Sequence, residues 1–201
     1  HYDHTWGYTA LALNGLDCPL WGHREIGMPH HAVRSGKERF VGSCLPLDVL
    51  DFRPVDEVCP ILPDVWAVSV PPEERDASFE PRDSRLVVPA RDGSGWEPDR
   101  FEDDLSLVVR GRNGWSVLMG CAHAGAVNIL EKVAREFAVR EFYAVQGGMH
   151  LSKQSGERLS RIVGALKERF AVKRWRPGHC SGFEAAMEFV RQGVDVEWAA
   201  A

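Results

Sequence analysis

Hydrophobic positions fall into two regimes along this chain. From residue 105 onward they recur with regular periods, whereas earlier apolar runs are short and broken by proline, glycine and charge. LSLVVRG (105–111) and WSVLMG (115–120) are strand-like runs flanking Arg112, Asn113 and Gly114, which is a hairpin signal. Val127, Leu130, Val133, Ala134 and Phe137 then recur at helical spacing. The alternation continues with a strand over FYAV (142–145), a helix carrying Leu159, Ile162, Val163, Leu166 and Phe170, a strand over VKRW (172–175), and a helix with Phe183, Ala186, Met187 and Val190. The ending VDVEWAA alternates like an edge strand.

The first half reads differently. Residues 4–16 predict a short helix with Trp6, Ala10, Leu11 and Leu13 on its apolar side. Residues 17–60 are irregular and proline-punctuated, and ILPDVWAVSV (61–70) resembles a strand or a hairpin arm. Between 73 and 104 only RLVV (85–88) has strand character. The whole of 17–104 therefore reads as a long irregular excursion over one face, a candidate substrate lid within one domain spanning 1–201.

Composition narrows the class. The 201 residues carry 24 basic and 29 acidic side chains, a net charge of −5, and are 44% apolar. That is enough for one domain with a sizeable core, and it excludes a basic nucleic-acid coat, an acidic tail and a disordered chain. No apolar run approaches the ~18 to 20 residues that cross a bilayer, so neither a membrane nor a nucleic-acid partner is expected. The five cysteines form no CxxC pair, which favours reduced thiols and a cytoplasmic setting. The chain opens on HYDHTWG, without Met, and reads as the C-terminal part of a longer protein cut inside a motif.

The histidines carry the chemistry. His123 follows WSVLMG, His150 follows FYAVQGG and His179 follows VKRWRPG, and each precedes a helix. They lie 27 and 29 residues apart, one strand–loop–helix unit each. Neighbouring strands bring such loops to one edge of a sheet, where α/β proteins place their sites. HYDH would begin a fourth loop, adding His1, Asp3 and His4. Imidazoles with a carboxylate suit Zn, Fe or Mn, and two such ions ~3.5 to 4 Å apart can share and activate a water. His23, His30 and His31 fall in the irregular stretch and read as structural.

HYDHTWG resembles the latter part of the HxHxDH signature of the metallo-β-lactamase superfamily. DDLSL, GCAHAGAVNIL, GGMHL and PGHCSG together resemble the branch of its metal-dependent hydrolases that includes the archaeal dihydropterin–ribofuranosylaminobenzene phosphate synthase. The resemblance implies an α/β fold, a metallo-β-lactamase-like αββα sandwich, of which this chain would be the C-terminal portion only. It implies two divalent metal ions, zinc first, with Mn, Fe or Mg as alternatives. His1 and His123 would serve one ion, while Asp3, His4 and His179 would serve the other. Where many members place a bridging aspartate, this chain has QGGMH, so His150 would supply a ligand or a hydrogen bond to substrate. Asp3 and His150 are the catalytic candidates.

The implied activity is hydrolysis of an ester, phosphoester or related bond of a small molecule by metal-activated water. A pterin-condensing synthase and a non-catalytic metal scaffold are the alternatives. Asp103 or Asp104 is expected to orient a ligand histidine, and Ser181 to cap the last helix. Cys121 and Cys180 are expected to pack. Arg75 and Lys153 are weaker phosphate candidates; Trp115 and Trp175 are expected to pack, and Trp96 to pack or stack on a ring.

Overall fold

The computed structural model describes residues 1–81, 83–154 and 156–199. In chain order its main elements are α1 (Tyr2–Leu13), β1 (Leu20–His23), β2 (His31–Arg34), β3 (Lys37–Phe40), β4 (Phe52–Val55), β5 (Val58–Leu62), β6 (Val65–Val68), β7 (Leu86–Pro89), β8 (Trp96–Pro98), β9 (Ser106–Gly111), β10 (Gly114–Met119), α2 (Ala126–Phe137), β11 (Glu141–Gly148), α3 (Gly156–Arg169), β12 (Ala171–Gly178) and α4 (Phe183–Arg191). They form two compact units, His1–Val55 with Asp83–Asp103, and Asp56–Arg82 with Asp104–Ala201. Both have open sheets and are mixed α/β, as in an αββα sandwich.

In the larger unit the sheet order is β12-β11-β10-β9-β6-β5. The β9–β10 hairpin forms where Arg112–Gly114 predicts it, pairing Gly111 with Gly114. The run 61–70 contributes to two strands, β5 and β6, which turn at Asp64 with φ 61°. Strands β10, β11 and β12 are mutually parallel, so α2 and α3 are their crossovers. Val117 and Val145 on the sheet, Leu130 and Val133 on α2, Val163 and Leu166 on α3, and Phe189 on α4 are fully buried together. Each such side chain contributes roughly 1.5–3 kcal/mol relative to exposure. Trp115 packs with Trp66 and Phe137, and Trp175 with Phe189. The C-terminal segment, expected from its alternation to be an edge strand, meets β12 in isolated parallel bridges at Val196 and Ala199, and Ala200 and Ala201 lie outside the described residues.

The smaller unit has a two-stranded parallel sheet, β1 with β4, and a four-stranded antiparallel sheet in the order β3-β2-β7-β8. The stretch 17–104 is thus more regular than its prolines suggest, and its residues 56–82 belong to the larger unit. Helix α1 forms, but Trp6, Leu11 and Leu13 on it are exposed. Trp96 is exposed on β8 and its ring lies 4.6 Å from that of His31. No helix among the described residues is long and apolar enough to cross a membrane.

Buried Lys132 on α2 ties the larger unit together. Its Nζ donates to Glu57 at 2.6 Å and Glu74 at 3.0 Å, and lies 3.5 Å from Glu136. Burial pushes the Glu74 carboxyl up, but hydrogen bonds and charge from Lys132 and Arg135 outweigh it and hold the pKa below its ordinary value. A lowered carboxylate pKa adds stability above the unfolded-state pKa, and that stability is lost as pH falls through the native one. Lys132→Met is expected to lower unfolding free energy by about 1–3 kcal/mol at neutral pH. Denaturant titrations at several pH values should also show the wild type's acid-side decline flattened in this variant.

Candidate metal centre

The C-terminal ends of β10, β11 and β12 are adjacent in the sheet, and the loop after each carries one of the regularly spaced histidines. Backbone strain marks all three loops: Ala122, His150 and His179 have φ of 54°, 48° and 50°. Non-glycine residues seldom adopt this region, and they persist only where surrounding structure enforces it. At His150 the enforcement is visible. Met149 and Leu151 on either side are buried, the Met149 N–H donates to Ser181 Oγ at 3.0 Å, and the His150 N–H donates to Cys180 Sγ at 3.3 Å. Ser181 also donates to the Gly147 carbonyl at 3.3 Å. Ser181 is therefore not the helix cap: Gly182 is the N-cap of α4, without a side-chain cap, and the Ser181 hydroxyl laces the loops after β11 and β12.

Approach of the strands requires glycine here. At Gly147, φ 116°, an added Cβ would lie 2.0 Å from the Met119 carbonyl oxygen on β10, and at Gly148 one would lie 2.3 Å from the Gly120 oxygen. That closeness brings the His123 and His150 rings to 4.2 Å between centroids. A donor atom from each of Cys121, His123 and His150 lies within 4.8 Å of the other two. His123 and Cys121 are buried. Both His150 ring nitrogens are buried and lack a hydrogen-bond partner among the described residues. Buried polar atoms ordinarily find partners, and converging imidazoles beside a thiol form a donor set suited to a divalent transition metal. The residues fit such an ion.

Exposed His179 also offers a nitrogen within 4.8 Å of Cys121 Sγ. Cys121, expected from the sequence to pack, is buried, and its Sγ also faces these imidazoles. Cys180 differs: its Sγ lies 3.5 Å from the Cys121 carbonyl oxygen. Hydrogen bonding to Cys121 and, against the effect of burial, the influence of His150 pull its thiol down to about 5.

Asp103 and Asp104 have separate partners. An Asp104 carboxylate oxygen accepts from the Ala124 N–H at 3.0 Å, a contact to the backbone next to His123 and not to its ring. Loss of such a support typically costs 10–100-fold in metal affinity. Asp104→Ala is expected to weaken retention of an added divalent transition metal by about that factor in competition with a chromophoric chelator.

The smaller unit holds His1, Asp3 and His4. The His4 Nε2 is 3.8 Å from an Asp3 carboxylate oxygen, and both residues are exposed. The His1 ring meets the His30 ring edge-on at 5.2 Å, and His1 Nε2 is 4.0 Å from Asp99. His30 is held between Asp99 at 2.6 Å from Nδ1 and Asp103 at 3.2 Å from Nε2. Burial lowers its pKa, yet hydrogen bonds and charge from Asp103 and Asp99 raise it to about 9. This clamp agrees with a structural role for His30, although His1, His30 and Asp99 also present donor atoms within 4.8 Å of one another. A cavity of about 290 Å³ opens beside His30, lined in part by Met28, Val88, Arg91 and Phe101. Arg75 is not a phosphate ligand: its buried guanidinium donates to the Val70 carbonyl at 2.7 Å and pairs with Glu80.

No protein-family model matches the chain. It is 25% identical over 207 residues, 96% of this chain and 67% of the relative, to the 7,8-dihydropterin-6-methyl-4-(β-D-ribofuranosyl)-aminobenzene-5′-phosphate synthase of Methanocaldococcus jannaschii. Its fold matches the crystal structure of a metal-dependent hydrolase of the β-lactamase superfamily, with a TM-score of 0.77 and 26% identity over 94% of this chain and 72% of the other.

Proposed function

We propose that this chain is a metal-dependent hydrolase acting on an ester, phosphoester or related bond of a small molecule. The observation that carries the reading is the convergence of His123, His150 and Cys121 in loops after neighbouring parallel strands, with both His150 nitrogens buried and unsatisfied. The fold match to a metal-dependent hydrolase supports it. We assign His1, Asp3, His4, His123, His150 and His179 to holding two divalent ions, with zinc favoured by the imidazole-rich set. Such ions acidify water and polarise a carbonyl or phosphoryl oxygen.

The chain's own residues do the rest. Asp104 fixes the turn that presents His123, while Met149 and Leu151 seat the His150 loop on the core and keep water from its backbone. Asp3 is assigned to hold the proton released by the attacking water, with His4 beside its carboxylate. The cavity in the smaller unit is close to the lower end of small-molecule pockets, and its lining combines apolar Met28, Val88 and Phe101 with more carboxylates than guanidinium groups.

The likeness to the archaeal synthase favours a second reading, metal-assisted condensation of a pterin with a phosphoribosyl-bearing aromatic. Assays on the purified protein separate the two. Hydrolysis of nitrophenyl esters and phosphodiesters that stops with a chelator and returns with zinc or manganese supports the hydrolase. Product formed only from a pterin and an aminobenzene ribotide supports the synthase. Hydrolysis at full rate in metal-free protein would defeat both.

A further inference from the structure

We infer that the Cys121 sulfur is itself a metal ligand, forming with the imidazoles of His123 and His150 a set of two nitrogens and one sulfur around one ion. This rests on the metal-dependent reading above. The three donor atoms lie within 4.8 Å of one another, near enough for small side-chain rotations to gather them around zinc, whose tetrahedral nitrogen and sulfur ligands at about 2.1 Å and 2.3 Å stand roughly 3.6 Å apart. Cys121 is buried, so its thiol faces protein and not solvent. The second, independent sign of a ligand is His150, whose two buried ring nitrogens have no hydrogen-bond partner among the described residues.

Charge gives the sulfur a purpose. Two neutral imidazoles leave a divalent ion's charge uncompensated in a buried place, which is costly. A thiolate at 121 would supply a negative charge beside them. The step is acid–base only: the S–H bond breaks, its proton leaves to solvent, and the sulfur lone pair forms the metal bond with no change of oxidation state. A soft sulfur donor also selects zinc, cadmium or cobalt over magnesium and manganese.

Cysteine 180 is the natural control. Its sulfur accepts the His150 backbone N–H and is outside this donor set.

Cobalt(II) loaded into chelator-stripped protein tests the inference by absorption, independently of turnover. The wild type is expected to show visible ligand-field bands together with an intense near-ultraviolet sulfur-to-cobalt band. Cys121→Ser should lose the near-ultraviolet band, and Cys180→Ser should keep it. Cys121→Asp, which preserves a charged donor, guards against a folding defect: it should bind cobalt and show visible bands alone. Visible bands without the near-ultraviolet one in the wild type, or persistence of that band in both Cys121 variants, would overturn the sulfur ligand while leaving the metal site standing. Failure of the wild type to take up cobalt at all would overturn the metal-dependent reading and this inference with it.

Discussion

Replacing His123 with alanine is expected to strip metal and abolish turnover together. His123 is buried, its ring lies 4.2 Å from that of His150, and its loop is fixed by the Asp104 bond to the Ala124 N–H. Alanine removes a donor without giving the ion another, and water cannot easily replace it in a buried position. Since loss of a mere supporting group costs 10–100-fold, loss of the ligand should lower both metal affinity and kcat by about 10²-fold or more. Metal content per chain by mass spectrometry and turnover on a nitrophenyl substrate are the paired readouts. His23→Ala is the control: the His23 ring accepts from the Glu25 N–H at 3.2 Å and starts a short helical turn, so metal and turnover should be unchanged. Normal metal content in the His123 variant would remove this residue from the site.

The largest stability loss is expected from Gly147→Ala. The new methyl would sit 2.0 Å from the Met119 carbonyl oxygen, 3.0 Å from its carbon, and at φ 116°. All the colliding atoms belong to the backbone of the paired strand β10, which cannot swing aside as a flexible side chain would. Relief requires parting β10 from β11 at the end that carries His150. A loss of about 3 kcal/mol or more follows, lowering the melting midpoint by roughly 6–12 °C for a chain of this size. Gly156→Ala, where a methyl meets nothing within 4 Å, should melt near the wild-type temperature. Equal midpoints for the two variants would refute the steric argument.

The half of the fold from residue 105 onward was legible because its elements are local and periodic. A strand, a turn and an amphipathic helix each leave a mark within about fifteen residues, and the glycines beside His123, His150 and His179 announce the loops. The smaller unit hides its order. Its strands are three or four residues long, and β2 finds β7 only after a long sequence gap, so no periodicity survives to be read. The His30 clamp has the same cause: Asp99 and Asp103 stand 69 and 73 positions away. Cys121 is buried as expected, but its nearness to the two imidazoles was not legible for another reason. Sequence adjacency to a ligand does not say where a side chain points, and the left-handed turn at Ala122 sets that direction.

That left-handed backbone also filters what residue 150 can become. At φ 48° an imidazole, a carboxylate or a carboxamide is tolerated, because short polar side chains accept this conformation, whereas a β-branched residue does not. Exchange of His150 for aspartate or asparagine therefore alters the donor while sparing the chain path. Valine or threonine would alter both at once. The backbone at this loop thus screens out β-branched side chains first, while leaving open exchanges among histidine, aspartate and asparagine that change the donor and keep the loop.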